Sequence, residues 1–232
     1  MSGRQVAIKG SDGSFAGYLA SPAAGRGPGV VVIQEIFGVN AAMRAVADEI
    51  AAGGFFALAP DLFWRLESGV QLTDKTAAEW QHAFDLMKHF DSNLGVKDIQ
   101  TAIAHLRTLP GGTGKVGAVG YCLGGYLAYL TATRTDSDAS VGYYGLNINA
   151  MLGEATNIKK PLMLHIAGKD EYVPPAAQKQ VMDGLAANPL VTIHHYPEMN
   201  HAFARPGGKH YDQANAGLAN SRTTTFFRQH LS

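Results

Sequence analysis

The sequence predicts an α/β fold: one domain over residues 1–232, with a mainly parallel central sheet flanked by helices. Short apolar runs alternate with helical patterns, the rhythm of strand–crossover–strand units. No linker, internal repeat or low-complexity segment divides the chain. Its 232 residues, 46% hydrophobic and 16% charged, suit a single large core rather than a disordered chain.

The elements follow in order. Gln5 to Lys9 and Phe15 to Ala20 read as strands joined by the turn Ser11-Asp12-Gly13-Ser14. After the Pro/Gly-rich connector Ser21 to Gly29, Val30 to Ile33 is apolar at every position, as in a strand covered on both faces. Asn40 caps a helix to about Ala52, stopped by Gly53-Gly54. Phe55 to Ala59 is a strand ended by Pro60-Asp61, and Leu62 to Thr73 has no clear period. Thr73 or Asp74 opens a helix to about Phe90, and a second runs from Val96 to Leu109, ended by Pro110-Gly111-Gly112. Lys115 to Val119 is a central strand that leads into a helix from Cys122 to about Thr133. Strands at Val141–Tyr144, Pro161–Ala167 and Val191–Tyr196 follow, with helices near Pro175–Ala187 and Gln213–Gln229.

Composition excludes several roles. The 19 basic and 19 acidic residues cancel, so no field attracts nucleic acid or an anionic membrane. Met1 to Lys9 lacks the apolar core of a signal peptide, and no apolar run approaches a membrane span. A single cysteine forms no internal disulfide and suits a reducing compartment, so a cytoplasmic location is expected. No histidine pair has metal spacing, and neither metal nor cofactor is expected.

The chemistry begins at Gly117-Ala118-Val119-Gly120-Tyr121-Cys122-Leu123-Gly124-Gly125. A buried strand runs into Gly-Tyr-Cys-Leu-Gly and then into a helical pattern. This is the strand-to-helix elbow of α/β-hydrolases with cysteine as nucleophile. Gly120 and Gly124 leave room for so tight a bend. The helix start favours a thiolate and a developing oxyanion. The amide of Leu123 is the expected first oxyanion donor, and the second is expected in the loop after Ile33, at Ile36. An ordinary buried thiol is the competing reading of any lone cysteine. The glycine context turns the balance, and a dinucleotide fingerprint fails because it needs glycine at position 122.

On this fold acid and base follow the nucleophile, at the ends of later strands. Asp170 follows the strand to Ala167 through Gly168-Lys169, with Glu171 as the fallback. His201 follows the strand to Tyr196, on the loop before the last helix. The other histidines fall within predicted strands or in and near predicted helices.

These residues resemble the dienelactone hydrolase family (carboxymethylenebutenolidases) over nearly the whole chain. The strongest pieces are Gln34-Glu35-Ile36-Phe37-Gly38-Val39-Asn40, Gly120 to Gly125, Val141-Gly142-Tyr143-Tyr144-Gly145 and His201-Ala202-Phe203-Ala204-Arg205. The resemblance implies a Cys122-His201-Asp170 triad and a glutamate, Glu35, that meets the resting thiol and helps ionise it when substrate binds. Independently, a carboxylate ending an apolar strand needs a partner or a proton. The resemblance also implies that Arg205 binds a substrate carboxylate, which suits its fork, and that Phe37, Tyr143 and Tyr144 line the substrate. The sequence departs from the family in two places. No arginine lies between Leu66 and Ala83, where a second anchor belongs, and Arg65 is the upstream substitute. Ala202 stands where the chlorocatechol-pathway enzymes place serine.

The expected activity is therefore hydrolysis of a small-molecule lactone or activated ester, with a carboxylate-bearing substrate as one possibility and a cysteine-bound thioester as intermediate. A broad carboxylesterase of the same fold and a non-catalytic binding protein are the alternatives.

Overall fold

The computed structural model describes residues 3–232. The part of the amino-terminal reading that concerns Met1 and Ser2 lies outside the described residues. The fold is α/β, with eight strands in mainly parallel pairing. Two compact units divide the chain, Met1–Gly117 and Ala118–Ser232.

In the first unit β1 (Arg4–Gly10) and β2 (Gly13–Ala20) form an antiparallel hairpin, in register from Arg4↔Leu19 to Gly10↔Gly13. β3 (Gly27–Ile33) and β4 (Phe56–Pro60) pair in parallel, and β2 lies antiparallel on the other side of β4. The order is β1-β2-β4-β3-β5, where β5 (Gly112–Tyr121) runs from the first unit into the second. Parallel β3 and β4 need a crossover, which α1 (Ala41–Ala52) supplies. Asn40 caps α1 by accepting from the Met43 amide at 3.1 Å. Two further helices complete the unit, α2 (Ala77–His89) and α3 (Ser92–Arg107).

The helix starts differ from expectation. Thr76, not Thr73 or Asp74, caps α2, because Thr76 accepts from the Glu79 amide while Glu79 reaches back to Thr73 and Thr76. Helix α3 begins four residues before Val96, because Asp91 accepts from the amides of Asn93 and Leu94.

The second unit continues β5-β6-β7-β8, with β6 (Ala139–Tyr143), β7 (Leu162–Ala167) and β8 (Val191–Tyr196) all parallel. Its helices are α4 (Leu123–Arg134), α5 (Pro175–Leu185) and α6 (Gln213–His230). A 3-10 segment at Ile148–Asn157 was not anticipated. The parallel register brings the ends of β7 and β8 level, Ala167 opposite Tyr196. The loops that leave them, at 168 and 197, therefore start side by side, as the catalytic reading requires. No helix among the described residues is long and apolar enough to cross a membrane.

Candidate active site

The elbow is a backbone feature before it is a chemical one. The end of β5 is buried from Val116 to Tyr121. The chain then turns at Cys122, whose φ of 57° and ψ of −115° are rare for a residue with a side chain. The Cys122 amide donates to the Tyr143 carbonyl at 3.1 Å, and its carbonyl accepts from Gly125 and Tyr126 as α4 begins. A Cβ on Gly120 would lie 1.9 Å from the Gly124 carbonyl oxygen, and one on Gly125 would lie 2.3 Å from that of Tyr143. Only glycine permits so close an approach. Leu123 opens α4, so its amide is a first-turn donor with no intrahelical acceptor.

The loop after β7 is tied down from several sides. The amides of Gly168 and Lys169 donate to the carbonyls of Tyr196 and Met199. The buried Gln178 amide donates to Gly168 at 3.3 Å and Val173 at 2.7 Å. Within this frame Asp170 Oδ1 accepts from the Tyr172 amide at 2.9 Å, and Oδ2 accepts from His201 Nδ1 at 2.8 Å. A carboxylate only accepts, so it fixes the tautomer and turns Nε2 away. His201 also shares a hydrogen bond with Cys122. Exposure is 8% for Cys122, 6% for Asp170 and 7% for His201.

Electrostatics follow from that packing. Burial opposes charge on His201. The Cys122 charge and the bonds to Asp170 and Cys122 outweigh it and push the imidazole up to about 10 from 6.5. Two rings stand edge-on to His201, Tyr144 at 5.0 Å and Tyr172 at 4.9 Å. Tyr172 is 45% exposed, and its hydroxyl feels burial first, then the charges of Glu171, Cys122, Asp170 and Arg205.

The structure thus gathers Cys122, Asp170, His201 and Tyr144, and Arg205 lies in the same unit. Glu171 is exposed, and the carboxylate on His201 is that of Asp170. Glu35, Ile36 and Phe37 are buried together just past β3 in the first unit. There Phe37 stands edge-on to Trp80 at 5.0 Å, and its carbonyl accepts from the Leu72 amide.

Two expectations are corrected. Tyr143 does not face a substrate: it is 0% exposed, its hydroxyl lies 2.6 Å from Thr223 Oγ1, and it donates to Asn220 at 3.1 Å. Arg65 is not a spare anchor. Its fork grips the buried Asp98 through Nε at 3.1 Å and Nη2 at 2.8 Å, and it reaches Asp12 at 3.1 Å. Tyr172 and Gln178 were missed. An aromatic two residues past the predicted acid was the available signal for Tyr172, whereas nothing in sequence marked Gln178. Among the described residues no group of three His, Cys, Asp or Glu side chains is arranged to hold a metal ion.

A parallel α/β sheet whose central strand turns at a thiol beside an Asp-steered histidine defines the α/β-hydrolase class. Comparison with known proteins narrows this. The model of the dienelactone hydrolase family matches residues 15–231. A relative from Azospirillum brasilense is 49% identical over 226 residues, 96% of each chain. The carboxymethylenebutenolidase of Pseudomonas putida is 39% identical over 222 residues, 95% of this chain and 94% of the other. A crystal structure from Klebsiella pneumoniae subsp. pneumoniae superposes with a TM-score of 0.85 at 25% identity, covering 98% of both chains. The chain belongs to the dienelactone hydrolase family and is a hydrolase.

Proposed function

We propose that residues 1–232 act as one catalytic domain that hydrolyses lactones or activated carboxylic esters through Cys122 and a thioester intermediate. The observation that carries this reading is the His201–Asp170 bond of 2.8 Å, with His201 also hydrogen-bonded to the thiol at the φ 57° bend. The carboxymethylenebutenolidase relative supports the substrate class.

The charges suggest how the steps divide. Once substrate binding has ionised the thiol, His201 stands as a cation beside the sulfur. The sulfur attacks the carbonyl carbon, the oxyanion rests on the amides of Leu123 and Ile36, and the carbon–oxygen bond breaks. His201 gives its proton to the leaving oxygen. The thioester sulfur carries no charge, so the largest support for the imidazolium is gone and burial favours the neutral ring. Neutral His201, steered by Asp170, then takes a proton from water as it attacks the thioester, and the acid product leaves with the thiolate restored. Glu35 keeps the thiol-ionising role implied by the resemblance, and Arg205 binds a carboxylate where the substrate has one. Thiolate leaves a tetrahedral adduct more readily than an amide nitrogen does, so peptides are poor substrates.

The test combines turnover of p-nitrophenyl acetate and a dienelactone with mass spectrometry of the quenched enzyme. Wild type should turn over both. Cys122→Ala should lose turnover, and His201→Ala should accumulate an acyl adduct on Cys122 or fail to react. Undiminished turnover by Cys122→Ala would falsify the mechanism. Arg205→Ala should lose activity selectively with carboxylate-bearing substrates. An equal loss with neutral esters favours the broad carboxylesterase instead.

A further inference from the structure

A cavity of about 500 Å³ lies in the second unit with none of the triad residues in its wall. Its volume is in the range of small-molecule sites. Met163 of β7, Thr192 and His194 of β8, and Arg222, Phe226 and His230 of α6 form much of the lining, and no aspartate or glutamate contributes.

Arg222 sets the chemistry. Its Nη1 donates to the Tyr196 hydroxyl at 3.1 Å, and its guanidinium lies 5.6 Å from the centroid of that ring. Tyr196 is buried and is itself held by His165 Nδ1 at 2.9 Å, so the arginine is tethered at one end to a fixed phenol. No carboxylate among the described residues pairs with it. By contrast Arg65 and Arg134 each meet carboxylates within 3.1 Å. Burial and then the Arg222 charge hold His194 below its ordinary range. Beside this single positive charge lie Met163 and Phe226, with Pro161, Pro189 and Leu190 at the rim.

We propose that this cavity is a second binding site, for a small organic carboxylate with an aromatic or branched apolar body. One guanidinium matches one carboxylate in charge and in fork geometry. The apolar wall takes the hydrocarbon part, and Thr192 and Gln229 offer polar contacts at its edge. Ester and lactone hydrolysis releases carboxylates, so the product class of this hydrolase fits the site, although the assignment stands on the cavity alone.

Benzoate is the probe, titrated by calorimetry into the full chain after iodoacetamide has capped Cys122. Saturable binding with a Kd of about 1 mM or tighter is expected. Arg222→Gln should weaken it about tenfold, the worth of a charge-assisted contact. Thr225→Trp, on an exposed lining position, should abolish it by filling the cavity, and benzyl alcohol should bind at least about tenfold more weakly than benzoate. Thermal melts establish that each variant is folded, and if Arg222→Gln is not, Thr225→Trp decides. Absence of saturation by about 10 mM benzoate overturns the proposal. So does binding that survives both substitutions, or binding lost in Arg205→Ala, which would place the benzoate at the triad end.

Discussion

The two units treat left-handed backbone in opposite ways. In the first, every described residue with positive φ is a glycine: Gly13, Gly25, Gly38, Gly54, Gly69, Gly111 and Gly114. In the second, Cys122, Tyr144, Asn147 and Ala202 adopt positive φ with side chains in place, and Gly207 is the one glycine among the described residues there. Glycine adopts this conformation at little steric cost, whereas other residues lose about 1–3 kcal/mol. The first unit has therefore been relieved of strain wherever the chain turns. The second keeps it at Asn147 and at three positions of the proposed site: the thiol, a ring against His201 and the residue after His201. Packing must hold these positions.

The largest effect that sharpens this contrast is Cys122→Gly. Turnover should fall on the order of 10⁴-fold with loss of the nucleophile. Stability should stay within roughly 1 kcal/mol of wild type, because relief of the bend offsets the lost burial of the side chain and the more flexible unfolded chain. Kinetics and urea denaturation read the two separately. A loss of roughly 3 kcal/mol or more would show that the bend at 122 carries no strain to relieve.

Next comes the converse in the first unit. Gly111 has φ 85°, and a Cβ there would lie 2.2 Å from the Gly25 carbonyl oxygen. Gly111→Ala should cost roughly 2–4 kcal/mol, from backbone strain and a forced shift of the neighbouring turn. Its specific activity per folded molecule should match wild type. A neutral substitution would mean that the turns of the first unit deform as readily as those of the second.

A third contrast lies inside the second unit, between two buried imidazoles. His165 is 1% exposed, bonded to the hydroxyls of Tyr196 and Thr223, and held well below 6.5 by burial, then by the charges of His194 and Arg222. His201 is equally enclosed but has a carboxylate and a thiol, and it rises to about 10. Burial is shared, so the partners decide the sign. The elevated His201 gives stability that is complete below about pH 6.5 and is lost as pH rises through about 10. His165 works on the acid side. Below pH 6.5 the unfolded chain takes up a proton that the fold refuses, so stability falls as pH falls. Each contributes at most about 1.4 kcal/mol per pH unit. Denaturation midpoints should show a flatter alkaline limb in His201→Gln and a flatter acid limb in His165→Gln. Unchanged limbs would place the protons on other groups.

How far the sequence revealed all this depends on the kind of information required. Strands β3 to β5 and the elbow were legible because apolar runs, turn residues and glycine spacing are local. The pairing of Asp170 with His201 was legible because chain order and strand ends bring their two loops together. Tyr143 and Tyr144 were not separable. Both sit in one short motif, and successive strand residues point to opposite faces. The sheet sends Tyr143 to Thr223 on α6, while the bend at Tyr144 turns its ring to His201. Arg65 misled for a similar reason. Its partners Asp12 and Asp98 lie 53 and 33 residues away, and only the fold brings them to the guanidinium. Segment Ile148–Asn157 has no long helical period, so its 3-10 turns left no pattern to read.

The smallest predicted effect asks whether strain beside His201 is used or only tolerated. Ala202 has φ 60° and is 2% exposed. Replacing it by glycine relieves about 1–2 kcal/mol of backbone strain. It also gives up about 0.8 kcal/mol of methyl burial and about 0.5–1 kcal/mol through the more flexible unfolded chain. These contributions nearly cancel, so Tm should stay within about 2 °C of wild type. Activity need not cancel. A residue with a Cβ has few routes out of its native conformation once packed, and under the proposed mechanism it keeps the preceding imidazole in place. Glycine frees that joint, and kcat should fall about threefold to tenfold, as a small misplacement of a catalytic group would produce. An unchanged kcat in Ala202→Gly would reduce the strain at 202 to a by-product of the turn and leave Cys122 as the strained position with a catalytic reason.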